Sequence, residues 1–155
     1  FQGCVRGLSP DIHITASEED SLGYLNKVLR ELIEEKYEEI VILTCLTEEQ
    51  SCLFTHCIDG YYPFNNRKIK FTSCRKFKGL EADAVILLDV TRSTFDVDGN
   101  NLVFYVGASR ARVRLSIIAN MSDDECRSVS CLLGNTLEGK PPKKMFAAAL
   151  NALLQ

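Results

Sequence analysis

The stretch Ala84-Val85-Ile86-Leu87-Leu88-Asp89-Val90 decides the fold class, because it is an almost unbroken apolar run. Apolar residues that do not alternate with polar ones are typical of a strand that is covered on both faces. Ile40-Val41-Ile42-Leu43 is a second run of the same kind. Helices that connect parallel strands cover both faces of a sheet, so the two runs predict an α/β domain around a mainly parallel sheet.

Capping signals, in which Ser or Thr precedes an acidic residue or Gln by three positions, predict helices around these runs. Leucines at helical spacing follow the first signal and make that helix amphipathic. The segment Asp59 to Arg67 (DGYYPFNNR) has the composition of a loop. The other predicted elements are strands over Ile12–Thr15, Lys68–Ser73 and Val113–Ala119, and helices from Ser17 to Tyr37, from Thr47 towards Cys57, over Asn101–Ala111, from Ser122 to Gly134 and over Lys143–Leu154.

Length and composition indicate one compact globular domain. The chain has 155 residues, of which 46% are hydrophobic and 25% charged. Its apolar runs are far shorter than the ~20 residues of a membrane-spanning helix, so we expect a cytoplasmic protein without membrane contact. Residues 1–3 (FQG) resemble the remnant of an expression tag, which leaves residues 4–155 as the expected single domain.

Cysteine content and net charge restrict the classes of site. The seven cysteines are odd in number and form no CxxC pair, which predicts reduced intracellular thiols. Cys52, His56 and Cys57 lie close in sequence but lack the recognised spacing of a zinc site, so we expect no metal. The net charge of −3 excludes nucleic-acid binding over the whole surface and leaves only a local patch for it.

A basic stripe supplies such a patch. Six basic residues fall within twelve positions that contain no acidic residue, and Phe71 and Phe77 lie between them. A stripe of this kind suits a phosphate backbone. The alternative, which charge alone leaves open, is that several of these side chains guard an edge strand. The stripe comprises Arg67, Lys68, Lys70, Arg75, Lys76 and Lys78.

The run Ser73 to Val85 (SCRKFKGLEADAV) resembles motif V of UvrD-like superfamily 1 helicases, usually written T-x-H-x-x-K-G-L-E-x-D-x-V. A glycine after a strand lets backbone amides approach a ligand, and a nearby carboxylate can hold sugar hydroxyls. The resemblance implies that Gly79 and Glu81 face ATP.

The same resemblance implies that Ser73 and Arg75 meet the nucleic-acid strand, and the stripe adds Lys76 and Lys78 to the predicted strand-binding residues. Arg75 departs from the motif, which has His at this position. An arginine can still pair with phosphate, but it does not switch charge as a histidine does.

The run Tyr105 to Arg112 (YVGASRAR) is similar to motif VI of the same family, Y-V-A/G-x-T-R-A-R/K, with Ser109 in place of Thr. The resemblance implies that Arg110 is the catalytic arginine that reaches the γ-phosphate of ATP across an interdomain cleft. A guanidinium suits this role because it stays charged and binds phosphate oxygens bidentately. We expect Arg112, two positions along the predicted helix, to pair with a carboxylate or to reach solvent.

Two segments imitate other nucleotide motifs. Residues 134–140 (GNTLEGK) spell the start of a phosphate-binding loop, but Pro141 stands where a magnesium-binding Ser or Thr is required, and the preceding segment is a predicted helix. Val85 to Asp89 imitates a Walker B strand, but Val90 occupies the place of the catalytic Glu. We therefore interpret Asp89 as a strand-end residue.

Together the motifs imply the C-terminal RecA-like domain (2A) of a UvrD-like helicase, an α/β three-layer sandwich with a mainly parallel sheet and no P-loop of its own. The implied partners are an upstream RecA-like lobe of the same parent chain and single-stranded DNA or RNA. ATP and Mg²⁺ are expected only in the complete two-lobe protein, and this domain alone is expected neither to bind them tightly nor to hydrolyse ATP. The alternative is a non-catalytic nucleic-acid-binding or protein-docking module on the same scaffold.

Overall fold

The computed structural model describes residues 10–95, 104, 106–133 and 141–154. Its strands are β1 (Asp11–Thr15), β2 (Ile40–Thr44), β3 (Tyr61–Phe64), β4 (Arg67–Ser73), β5 (Ala82–Val90) and β6 (Ala111–Asn120). They form one sheet in the order β1-β6-β5-β2-β4-β3. All neighbouring strands are parallel except β3 and β4.

Helices cover both faces of the sheet. The helix α1 (Glu18–Glu34) packs on one face, in a cluster that includes Ile42, Ile86 and Phe71. The helices α2 (Asp123–Leu132) and α3 (Pro142–Leu153) pack on the other face. The predicted α/β three-layer sandwich with a mainly parallel sheet is therefore confirmed. None of the described helices has the length and apolar character needed to cross a membrane.

The helix starts follow from the predicted caps. The Ser17 hydroxyl accepts a hydrogen bond from the Asp20 amide at 3.1 Å. Ser122 and Glu125 form a reciprocal capping box, with bonds of 3.2 and 3.0 Å. On the buried face of α1, fully buried leucines such as Leu25 each contribute roughly 2 kcal/mol of hydrophobic stabilisation. The helix predicted after Thr47 consists of two short 3₁₀ turns, Glu48–Gln50 and Phe54–His56.

The prediction of a loop over residues 59–67 was wrong, because β3 lies inside it and forms a hairpin with β4. Asn65 and Asn66 make the turn, with φ angles of 46° and 63°. Asparagine tolerates this left-handed region, and two such residues give the tight turn that matches the twist of paired strands. Pro63 is accommodated because β3 is an edge strand, where a missing amide donor is tolerated.

The helix predicted over residues 101–111 ends too late. Residues 104 and 106–108 are helical and residues 109–110 form a turn, whereas Ala111 begins β6. The chain enters the sheet at this point, because the Ala82 amide donates a hydrogen bond to the Arg110 carbonyl at 3.0 Å. The remaining residues of the prediction lie outside the described part of the chain.

The connection from β4 to β5 determines where the motif residues lie. Because β2 separates β4 from β5 in the sheet, residues 74–81 must pass over β2 on the α2/α3 face. The segment begins at the edge where β2, β4 and β5 end, which we call the carboxyl edge. It finishes at the opposite edge, where β5 and β6 begin, which we call the amino edge.

Candidate functional site

A cleft of about 380 Å³ lies at the carboxyl edge of the sheet. It is open at the ends of β2 and β4, which is where ligands of α/β proteins commonly bind. Three of the predicted strand-binding residues contribute to its wall. The lining residues are Cys45, Leu46, Thr47, Glu48, Glu49, Gln50, Ser73, Arg75, Lys76, Ser93 and Thr94.

The three predicted residues in the cleft have different surroundings. Ser73 is buried, and its hydroxyl accepts a hydrogen bond from the Lys76 amide at 3.2 Å, which fixes the turn after β4. The Lys76 ammonium group forms an ion pair with Glu48 across the cleft. Arg75 is exposed, and no carboxylate in the described part of the chain lies within salt-bridge distance of it. Arg75 is therefore the cleft cation that an anionic ligand can reach without displacing an acidic partner.

Asp89 connects the strand ends beside the cleft by hydrogen bonds. A bulge between Leu87 and Val90 leaves Asp89 with a φ of 61°, and a bulge of this kind redirects a side chain. The Asp89 carboxylate accepts hydrogen bonds from the Thr44 hydroxyl at 2.6 Å and from the Cys52 amide at 3.3 Å. The residue ties the ends of β5 and β2 to residues 45–53, which follow β2 and which we call the cleft loop. This agrees with its interpretation as a strand-end residue.

The cleft cysteine, Cys45, has a raised pKa. Cys45 and Cys74 follow the paired ends of β2 and β4, directly after the Thr44 and Ser73 pair. The hydrogen bond with Cys74, together with burial, raises the pKa of the Cys45 thiol well above its usual range. Cys45 therefore does not supply a thiolate nucleophile at neutral pH.

The predicted ATP-facing residues meet at the amino edge. The Arg110 guanidinium donates from Nε to the Val106 carbonyl at 3.1 Å and from a terminal nitrogen to the Leu80 carbonyl at 3.5 Å. Gly79 has a φ of 84°, a conformation that side chains rarely adopt, and Glu81 beside it is exposed. The structure thus brings Gly79, Glu81 and Arg110 into one partly exposed group.

The Arg110 guanidinium has only backbone carbonyls as hydrogen-bond partners among the described residues. No described carboxylate lies within salt-bridge distance of it. These neutral bonds orient the side chain without neutralising its charge. A guanidinium that keeps its charge can bind an anionic ligand.

Arg112 lies beside this group, but it does not belong to a helix as the sequence indicated. It sits in β6 at a bulge relative to β5, because the sheet begins at Ala111. Its guanidinium bonds the Asp83 carboxylate at 3.0 Å and the Glu39 carboxylate at 2.6 Å. The prediction of a carboxylate partner is confirmed, and the cluster joins the starts of β5 and β6 to the residue before β2.

The two groups of predicted residues lie at opposite edges of the sheet. Ser73 is level with Leu88 through Thr44, whereas Ala82 pairs with Ala111 beside Arg110. With about 3.3 Å of rise per strand residue, the groups are roughly 20 Å apart along the strands. Lys78 is exposed on the turn that connects them.

The basic stripe is not one surface. Phe71 and Phe77, which the sequence places among its charges, are buried in clusters on opposite faces of the sheet and present no ring to a ligand. Arg67 points away from Lys68 and Lys70 because neighbouring strand residues alternate in direction, and it donates to the Glu38 carbonyl at 3.3 Å. Strand alternation therefore divides the stripe.

The cleft loop and the short turn after β5 were missed as site elements. The sequence identifies Glu48, Glu49 and Gln50 only as part of a capping signal, and no sequence pattern points to Ser93 or Thr94. Their position directly after apolar strands was the available signal, because such loops collect at the carboxyl edge.

Two motifs that the sequence analysis set aside have the following surroundings. No group of metal-ligating side chains occurs among the described residues, and the six described cysteines are free. Residues 134–140 lie outside the described part of the chain, but the segment before them is the helix α2 and not the strand that a phosphate-binding loop requires.

Residues 68–118 match the family model of the UvrD-like helicase C-terminal domain. The fold is similar to the crystal structure of the C-terminal domain of a possible DNA helicase from Lactobacillus plantarum WCFS1, with a TM-score of 0.59 and 20% sequence identity. That similarity covers 74% of this chain and 75% of the other. Comparison with curated proteins gives no significant match.

Proposed function

We propose that this chain is the second motor lobe of an ATP-dependent helicase or translocase, which agrees with the match of residues 68–118 to the UvrD-like helicase C-terminal domain. Its RecA-like sheet presents Arg110 at one edge and the cleft at the other. The observation that carries the proposal is the Arg110 guanidinium, which is held by the Val106 and Leu80 carbonyls and has no acidic partner among the described residues.

The amino-edge group fits a nucleotide phosphate and sugar. A guanidinium bound only to neutral carbonyls can bind phosphate oxygens, and the exposed Glu81 carboxylate can hold ribose hydroxyls. The described residues offer no cluster of carboxylates for Mg²⁺, so the metal and the phosphate cradle belong to the upstream lobe in this proposal. ATP, when bound there with Mg²⁺, supplies the γ-phosphoryl group, and Arg110 stabilises the charge that develops on it.

The carboxyl-edge cleft is the proposed binding site for single-stranded DNA or RNA. Arg75 supports this role as an exposed cation, while Ser73 offers a hydroxyl near the cleft wall. Lys76 is engaged by Glu48, so a phosphate gains this lysine only in exchange for the Glu48 carboxylate. Lys78 extends the positive charge along the turn.

The crossover of residues 74–81 supports coupling between the two edges. The Cys74 amide donates to the Thr44 carbonyl at one end, the Ala82 amide donates to the Arg110 carbonyl at the other, and Phe77 is buried between them. Closure of two lobes around ATP through Arg110 then displaces the cleft together with the bound strand.

The test joins this chain to its upstream lobe and measures nucleic-acid-stimulated ATP hydrolysis. Arg110→Ala is expected to reduce kcat about 10³-fold or more, which is the usual contribution of an arginine that stabilises phosphoryl transfer. Arg30→Ala, on the exposed face of α1, is the matched control and should leave kcat unchanged. Unchanged hydrolysis by Arg110→Ala would refute the assignment.

A further inference from the structure

The hairpin of β3 and β4 has an outward surface on which an aromatic ring lies beside two lysines. Tyr61 is paired with Lys70, and Pro63 with Lys68. Residues opposite each other in an antiparallel pair point to the same face. All four are exposed, Tyr61 by 42%, whereas Ile69 between the lysines is buried on the other face. We call Tyr61, Pro63, Lys68 and Lys70 the hairpin face.

The charge of this face is not neutralised by the described part of the molecule. Between Ile58 and Leu80 the chain has six basic residues and one acidic residue, Asp59. Neither Lys68 nor Lys70 has an ion-pair partner among the described residues. Lys76 differs from them, because it is already paired with Glu48. The hairpin face therefore carries two ammonium groups available to a polyanion.

Edge protection does not explain these lysines. Lysine guards a strand whose backbone groups would otherwise pair with another chain. β4 is paired on both sides, by β2 and β3. The edge strand is β3, which carries Pro63 and no lysine. The alternative left open by the sequence thus does not apply to Lys68 and Lys70.

The hairpin face is continuous with the proposed strand-binding cleft. Lys70 lies three residues before Ser73 on β4, or about 10 Å at the usual strand rise. Its ammonium group is 5.8 Å from the centre of the Phe77 ring, in the turn that also carries Arg75 and Lys78. A strand leaving the cleft past Arg75 can follow β4 along the two lysines.

We infer that the hairpin face binds single-stranded nucleic acid, with a base stacked on Tyr61 and neighbouring phosphates held by Lys68 and Lys70. A phenol ring stacks on any base, and ammonium groups bind phosphates without reading sequence, so this binding is independent of sequence. The inference rests on the proposed function, because it extends the strand path from the cleft. It also assigns the aromatic partner of the basic stripe to Tyr61, in place of the buried Phe71 and Phe77.

The test measures fluorescence anisotropy of a labelled oligothymidylate of about 15 nucleotides, which is close to the longest site that one OB fold covers, on the full chain. Tyr61→Val keeps a β-forming residue and is expected to weaken binding about tenfold, whereas Tyr61→Phe keeps the ring and should bind like the wild type. Lys68→Ala with Lys70→Ala should lower the slope of log affinity against log salt by about 1.4. The exposed pair Lys143→Ala and Lys144→Ala on α3 is the matched charge control.

Two further ligands separate the contribution of base stacking from that of charge. They are an abasic oligonucleotide of the same length, and polyglutamate. Tyr61→Val should leave abasic binding unchanged, and polyglutamate should bind more weakly than oligothymidylate. Equal effects of Tyr61→Val on all three ligands would overturn the inference in favour of a site for any acidic chain. If Tyr61→Val does not fold by circular dichroism, the double variant of Lys68→Ala and Lys70→Ala still decides the outcome, because an unchanged salt slope would overturn the inference.

Failure of the inference can be told apart from failure of the proposed function. Normal binding by all hairpin variants, with weaker binding by Arg75→Ala, overturns the inference and leaves the cleft assignment intact. Weaker binding by the hairpin variants with normal binding by Arg75→Ala supports the inference and removes the cleft from the strand path. No binding by the wild-type chain, even when joined to the upstream lobe with ATP, overturns both.

Discussion

Replacing Asp89 is expected to destabilise the domain through the ends of its central strands. Asp89→Ala removes the acceptor of the Thr44 hydroxyl at 2.6 Å and of the Cys52 amide at 3.3 Å. Hydrogen bonds to a charged group contribute about 1.5–3 kcal/mol each, and the longer bond belongs at the low end. Alanine at a φ of 61° adds about 1 kcal/mol. The expected loss is about 4–5 kcal/mol, a large part of the ~5–15 kcal/mol that stabilises a domain.

Urea unfolding followed by circular dichroism measures this loss. With a denaturant dependence of about 2 kcal/mol per molar urea, the Asp89→Ala midpoint should fall by roughly 2 M. Asp89→Asn keeps the shape, an acceptor oxygen and tolerance of the left-handed region, so it should lose only about 1–2 kcal/mol. Combined with Thr44→Val, it should show a coupling energy, since the two residues share a bond. An Asp89→Ala variant within about 1 kcal/mol of the wild type would refute this reasoning.

Two further predictions concern packing and pH. Gly107→Ala would place a Cβ 2.5 Å from the Cys74 sulfur and 2.6 Å from a Leu87 methyl. Overpacking costs about 1–3 kcal/mol, which outweighs the ~1 kcal/mol gain in helix propensity. The Tm of Gly107→Ala should therefore fall by about 2–4 °C, and adding Cys74→Ala should partly restore it. An unchanged Tm contradicts this account. Burial lowers the pKa of His13 from 6.5, so the unfolded chain takes up this proton first and stability decreases as the pH falls below about 6.5. His13→Phe should flatten urea stability between about pH 7 and 5, and an unchanged slope in this variant would argue against burial as the cause.

The sequence predicted the sheet well because its central strands are buried on both faces. The runs at Ile40 and Ala84 became β2 and β5, every residue of β2 is buried, and the caps at Ser17 and Ser122 begin α1 and α2. The hairpin was missed for the opposite reason. β3 is a half-exposed edge strand of Tyr, Pro and Phe, and its turn depends on the left-handed tolerance of two asparagines.

The residues of the candidate site were proposed from sequence motifs, whereas their arrangement comes only from the structure. Motif patterns single out Glu81 and Arg110 by residue type and Arg75 by its position, where the motif has His. Their separation depends on the strand order, in which β2 lies between β4 and β5. Nothing in the local sequence encodes that order. For the same reason the sequence could not assign Arg112 to a strand, or reveal that Phe71 and Phe77 are buried on different faces.

The crossover of residues 74–81 has a consequence for how mutants of the parent protein should be classified. The two edges are joined by one short segment with Phe77 buried at its centre. A substitution of Phe77 therefore disturbs the residues at both edges. Under the proposed function, a screen that scores loss of ATP hydrolysis and loss of strand binding separately should place changes at Arg110 and Arg75 in different phenotypic classes. Alleles of Phe77 that still fold should fall into both.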